Sequence, residues 1–210
     1  MMDKHEGAVI VIDDDQKIRD ALRWLFESVY LNVVCFASAV EFLAYYQKQQ
    51  RGCLIIDVRM PGMSGLELLE QLKRQKCPLA IIVITGHGDI PMAVRAMKAG
   101  AMDFILKPFN DQYLLEKIQT ALQQTAGQLK DNLPTDVILC FETLTRRERE
   151  IMALVVAGKL NKQIAHELSI ALSTVELHRA KVMQKMHVKT LAQLVKYALQ
   201  LESMATITEN

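Results

Sequence analysis

Five short apolar runs punctuate the first half of this chain, and four of them end on an acidic, hydroxyl-bearing or cationic residue. Residues 8–12 run into Asp13-Asp14-Asp15, 53–56 into Asp57, 79–84 into Thr85 and 104–106 into Lys107, while 33–36 run into Ala37-Ser38. Runs this short, rich in Val and Ile and separated by helical stretches, read as buried parallel strands. In open parallel sheets ligands sit beyond the carboxyl ends of the strands. That rule converges Asp13, Asp14, Asp57, Thr85 and Lys107 on one crevice.

The stretches between the runs carry helical spacing. Ile18, Ala21, Leu22 and Leu25 form an i, i+3, i+4, i+7 stripe, which predicts a first helix over 15–28. Ser64 and Glu67 have capping-box spacing ahead of Leu66, Leu68, Leu69 and Leu72. Pro91 suits a first helical turn, Gly100 a C-terminal cap, and Asn110-Asp111 open a fifth helix through Leu114, Leu115, Ile118 and Leu122. Strand and helix alternate five times, so residues 5–126 are expected to form a doubly wound α/β domain of (βα)5 type.

From 127 to 140 the periodicity fades into Gly127, Asn132 and Pro134, the composition of a linker. Residues 141–205 carry no strand run. Thr145 with Glu148 is a second capping pair, opening a helix through Ile151, Leu154 and Val155 that stops at Gly158. Asn161 can cap a short helix holding Ile164, Ala165 and Leu168, and Ser173 with Glu176 is a third pair ahead of Val175, Val182 and Met186. Thr190 opens a last helix with Leu191, Leu194, Val195 and Ala198, which gives an all-α four-helix unit.

Composition narrows the partners. No apolar run approaches the ~20 residues needed to span a bilayer, and the first residues, Met1-Met2-Asp3-Lys4-His5-Glu6, are polar rather than signal-like. A cytoplasmic location without a membrane partner is expected. Cys35, Cys53, Cys77 and Cys140 lack CxxC or Cys/His ligand spacing, so neither zinc nor a disulfide is implied. A net charge of +1 conceals a tilt: 15 Lys+Arg stand against 17 Asp+Glu through residue 140, and 10 against 7 after it. The second part is therefore the basic one.

Three carboxylates and a lysine at strand ends need a reason to be together, because unpaired charge is costly where water is partly excluded. A hard cation such as Mg²⁺ takes one or two carboxylates with phosphate oxygens and water, which makes Asp13, Asp14 and Asp57 candidate ligands. Asp57 could attack a phosphoryl group as a nucleophile while the metal and Lys107 neutralise its oxygens, with Thr85 donating a hydroxyl hydrogen bond. Taken singly, an Asp after a strand is usually a cap or turn residue and a Lys a surface charge. In combination and in chain order these residues describe a site. Asp13-Asp14-Asp15 also fits the DxD of haloacid-dehalogenase-type phosphatases, with Asp13 as nucleophile and Asp15 as acid, but those enzymes need a further acidic metal motif, and here Lys107 leads only into a helix and linker.

The segments VIVIDDD, LIIDVRMPGMSG, VITGHGD and DFILKPF resemble the receiver domain of bacterial two-component response regulators. The resemblance implies a flavodoxin-like fold, phosphorylation of Asp57 by a cognate sensor histidine kinase, and Mg²⁺ organised by Asp13, Asp14, Asp57 and the backbone carbonyl of Arg59. It makes Thr85 and Phe104 a switch pair and matches Lys107-Pro108 to a lysine followed by a cis-proline. It also places a phosphorylation-dependent homodimer face at Ile90, Val94, Arg95 and Asp103. No independent enzymatic turnover is expected beyond the domain's own phosphoryl transfer.

In the second part, a short helix, a turn near 169–172 and a longer helix are the parts of a helix-turn-helix, whose second helix enters the DNA major groove. LTRREREIMALVVAGKLNKQIAHEL followed by STVELHRAKVMQKM resembles the LuxR-type DNA-binding domain, and its pairing with this receiver is that of the FixJ-type subfamily. The resemblance puts the helix-turn-helix from Asn161 to Ala180, with Lys162, Thr174, Glu176, Leu177, Arg179 and Lys181 toward DNA. Glu176 has a second reading, as closure of a capping box with Ser173. The implied partners are promoter double-stranded DNA and, as a candidate, RNA polymerase; the implied function is phosphorylation-controlled transcription.

Overall fold

A computed structural model describes residues 8–47, 50–127 and 135–208. Among these the elements run β1 (Ala8–Ile12), α1 (Gln16–Glu27), β2 (Val33–Phe36), α2 (Ala39–Tyr45), β3 (Gly52–Asp57), α3 (Gly65–Arg74), β4 (Ala80–Thr85), α4 (Ile90–Lys98), β5 (Asp103–Leu106), α5 (Asp111–Thr125), α6 (Thr135–Glu142), α7 (Arg146–Val156), α8 (Asn161–Glu167), α9 (Leu172–Lys185) and α10 (Leu191–Thr208). All pairings in the sheet are parallel, in the order β2-β1-β3-β4-β5. This is the flavodoxin-like order, whose strand direction of travel reverses between β1 and β3. Among the described residues the chain forms two compact units, 8–87 with 99–127, and 88–98 with 135–208. Helix α4 groups with the second.

Every residue of β1 and β3 is buried, as expected of central strands covered on both faces. Val9, Val11, Ile55, Ile82, Ile84 and Ile105 join Leu22 and Phe26 of α1 and Leu114 and Ile118 of α5 in one cluster. Each such side chain contributes about 1.5–3 kcal/mol on burial. The packing fixes the strand register, and the register fixes the site. Ile12 pairs with Ile56, so Asp13 and Asp57 follow side by side; Thr85 pairs with Leu106, so Lys107 follows beside it.

The helix ends repeat several of the sequence signals. Ser64 with Glu67 and Thr145 with Glu148 are complete capping boxes, Asp15 and Asn110 cap α1 and α5, and Thr190 Oγ1 accepts from the Gln193 amide. Three expectations differ. The second half of the supposed linker is helix α6, with Val137 buried, and the four helices read over 141–205 follow it as α7 to α10. Asn161 does not cap α8: Leu160 holds that position, its amide donating to Gln163 Oε1 at 2.8 Å. Ser173 forms no capping box with Glu176, because α9 starts earlier. Ser169 takes a left-handed φ of 51° that ends α8, and the Ala171 carbonyl accepts from the Thr174 and Val175 amides.

Candidate functional site

Parallel strands bring three charged side chains to one point. Lys107 Nζ donates to Asp13 Oδ2 and to Asp57 Oδ1, each at 2.7 Å. The remaining carboxylate oxygens are engaged by main chain: Asp13 Oδ1 accepts from the Asp15 amide at 2.9 Å, and Asp57 Oδ2 from the Arg59 amide at 2.6 Å. Asp13 is 4% exposed and Asp57 7%. One ammonium facing two buried carboxylates leaves one negative charge in excess. Burial raises the Asp13 pKa, the Lys107 and Asp15 hydrogen bonds offset only part of this, and the Asp57 charge adds to the rise. For Lys107 burial works against the ammonium, but its hydrogen bonds to both carboxylates outweigh it and raise the pKa.

Thr85, 1% exposed, completes the cluster from the next strand. Its carbonyl accepts from the Lys107 amide at 2.8 Å and its Oγ1 from the His87 amide at 3.3 Å. Phe104 is half-buried, and the Lys107–Pro108 bond is cis. Asp14 stands apart: it is exposed, so among the described residues no third acidic side chain converges with Asp13 and Asp57. Asp15 caps α1, its Oδ1 accepting from the Lys17 amide at 2.8 Å.

Two residues of the site were missed from the sequence. Arg19 donates from one nitrogen to the carbonyls of both Asp13 and Asp14, at 2.8 and 2.9 Å, and so shapes the acidic turn. Gly65 lies against the end of β3, with its amide donating to the Val58 carbonyl at 3.0 Å. The signal for Gly65 was its place at the end of Pro-Gly-Met-Ser-Gly, directly after the capping Ser64; Arg19 had none. Of the residues expected on a dimer face, Asp103 is 2% exposed, paired with Lys117 at 2.8 Å and accepting from Tyr113 Oη at 3.3 Å, and Val94 is buried as well.

In the second unit α9 buries Val175 and Val182, and Met186 follows at its end. Beyond its exposed first residue, Leu172, its exposed residues Ser173, Glu176, Leu177, Ala180, Lys181 and Gln184 fall at i, i+3, i+4, i+7, i+8 and i+11 and make one stripe. Leu177 is 55% exposed, an apolar side chain held in water. Lys162 is exposed on α8, and Thr174 is half-buried at the margin of the stripe. Arg179 is half-buried and donates to Asn161 Oδ1. Lys185 is turned inward to Glu148 Oε2 at 2.7 Å and the Thr143 carbonyl at 3.1 Å.

The residues 9–119 match the family model for the response regulator receiver domain, and 142–198 that for bacterial regulatory proteins of the luxR family. The response regulator protein TmoT of Ectopseudomonas mendocina is 45% identical over 93% of this chain and 89% of its own length. The transcriptional regulatory protein FixJ of Bradyrhizobium diazoefficiens is 42% identical over 92% and 95%. Among solved structures, the response regulator StyR is 45% identical with a TM-score of 0.56, covering 93% of this chain and 99% of that one. Full-length FixJ from B. japonicum is 40% identical with a TM-score of 0.54, over 93% and 97%. With a parallel sheet whose ends gather Asp13, Asp57, Thr85 and Lys107, and a helical unit of luxR type following it in the chain, the chain belongs to the two-component response regulators that act as transcriptional regulators.

Proposed function

We propose that this protein accepts a phosphoryl group on Asp57 from a sensor histidine kinase, dimerises, and in that state binds promoter DNA. The carrying observation is the Lys107 ammonium 2.7 Å from both the Asp13 and Asp57 carboxylates, a nucleophile and a neutralising cation already in place. The Asp57 carboxylate attacks phosphorus, a P–O bond forms as the bond to the donor imidazole breaks, and the product is an acyl phosphate. Lys107 then meets a phosphoryl oxygen in place of one carboxylate oxygen. The Thr85 hydroxyl, one strand away, turns from the His87 amide to donate to another, and the half-buried Phe104 moves into the space it leaves.

The donor set suits Mg²⁺. Its oxygens are hard, and the site has a negative charge that Lys107 alone does not balance. Asp13, Asp57 and the Arg59 carbonyl would hold the ion, with exposed Asp14 on the same acidic turn as Asp13. When bound, it neutralises phosphoryl charge.

On the DNA side, the exposed stripe of α9, with Glu176, Leu177 and Lys181, enters the major groove, and Lys162 meets the phosphate backbone with Thr174 at the edge. Glu176, free of any cap, is a hydrogen-bond acceptor for cytosine. A DNA partner places the protein in the cytoplasm, with RNA polymerase as a further partner and no independent catalytic turnover. Incubation of the full chain with a small acyl-phosphate donor and Mg²⁺, read by intact mass, tests the first step. One phosphoryl group should add to the wild type and none to Asp57→Asn; equal labelling of the two would overturn the assignment.

A further inference from the structure

The basic residues of the helix-turn-helix do not all face the same way. At 100° per residue the six-residue stripe of α9 spans one side of the helix, and Arg179 lies about 130° around from its middle. On that side its guanidinium is half-buried and bonded to Asn161 Oδ1, 18 residues earlier and the first residue of α8. Asn161 is open to this bond because Gln163, not Asn161, serves the start of α8. The far end of α9 is tied in the same manner, Lys185 reaching buried Glu148 and the Thr143 carbonyl. Both cations flanking the stripe are engaged inside the unit. Side chains along the stripe, from Ser173 to Gln184, are left to meet a ligand.

We infer that Arg179 is a positioning residue, acting on DNA through Asn161 by fixing the angle between α8 and α9, and that base reading belongs to the stripe including Ala180 and Gln184. The inference rests on α9 being the DNA-reading helix. A cation held by a partner 18 residues away sets where the helix lies without touching a base. Ala180, in the middle of the stripe, has only a methyl group, so the helix backbone can approach base edges closely there, and that methyl suits a thymine methyl. Gln184, one turn further on, carries a donor and an acceptor of the kind that pairs with adenine.

Full-length protein, phosphorylated, is titrated against a two-fold DNA site obtained by selection with the wild type, over a range of salt, and base preference is scored by re-selection. Asn161→Ala, Arg179→Ala and the double variant should each lose affinity by a similar factor of about ten, with the salt slope and the preferred bases unchanged. Arg179→Lys, which restores one donor, should recover part of the loss. Ala180→Val and Gln184→Ala should change the preferred bases. A slope lowered by about one unit in Arg179→Ala and restored in Arg179→Lys, with Asn161→Ala silent, would make Arg179 a phosphate contact and overturn the inference. Failure of the wild type to select any sequence would instead strike the reading of α9 itself.

Discussion

A Cβ on Gly65 would lie 2.1 Å from the carbonyl oxygen of Asp57 and 2.8 Å from Ile56 Cγ2. The start of α3 is therefore pressed against the residue that carries the nucleophile, at a distance no side chain tolerates. Gly65→Ala should push α3 and the end of β3 apart, destabilise the unit by about 1–3 kcal/mol, and slow phosphorylation of Asp57 at least tenfold. Gly86, with no atom within 4 Å of its would-be Cβ, is the contrast. Gly86→Ala should leave stability within about 0.5 kcal/mol. Urea melts and phosphorylation rates measured on both variants check the pair.

Lys107→Met removes the cation that two buried carboxylates share. Asp13, already raised by burial, should rise further, so its neutral form is favoured in the folded state. The variant should therefore gain more stability than the wild type as pH falls through that raised range. Acyl phosphate formed on it should no longer tighten DNA binding, because the group that meets the phosphoryl oxygen is missing. Melting temperature against pH, with DNA titrations of the phosphorylated variant, reads both effects.

Glu148 carries the clearest pH signature of the second unit. Its hydrogen bonds from Lys185 and then from the Thr145 amide hold its pKa down to about 2, against an ordinary 4.5. A folded pKa below the unfolded one means the stabilisation is present above pH 4.5 and lost as pH falls toward 2. The acid limb of unfolding should flatten in that window in Glu148→Gln and Lys185→Met. Lys185→Met should also cost about 3 kcal/mol at pH 7 by leaving a buried carboxylate without its cation.

Asp103 tests burial against surface. It pairs with Lys117 and sits 2% exposed. Asp103→Ala should destabilise the first unit by about 3 kcal/mol, and Asp103→Ala with Lys117→Met should recover much of that. If the single variant instead kept full stability and lost only self-association by sedimentation, the residue would belong to a dimer face after all.

The strand ends were legible because each strand is a continuous apolar run, and parallel topology alone sends Asp13, Asp57, Thr85 and Lys107 to one edge. Caps at Ser64 and Thr145 were legible for a similar reason: donor and acceptor are three residues apart. Asn161 and Ser173 carried equally good local signals and were misread. The Asn161 oxygen is engaged by Arg179 from 18 residues away, and the backbone turn at Ser169 sets the start of α9 earlier than Ser173. The Asp103–Lys117 pair, Arg19 on the acidic turn and Gly65 against Asp57 are likewise tertiary contacts, with no periodicity to announce them. Helix α6 was hidden by flanking linker composition, although residues 137–141 are mostly apolar.

The central claim is that the Asp57 phosphoryl group controls DNA binding by the α9 stripe. The most direct measurement is the affinity of the full-length protein for its selected two-fold site at fixed salt, with and without phosphorylation, in the wild type and in Asp57→Asn. The account predicts at least tenfold tighter binding on phosphorylation of the wild type and no response in Asp57→Asn. Equal affinity of the phosphorylated and unphosphorylated wild type, with phosphate on Asp57 verified by mass, would contradict it.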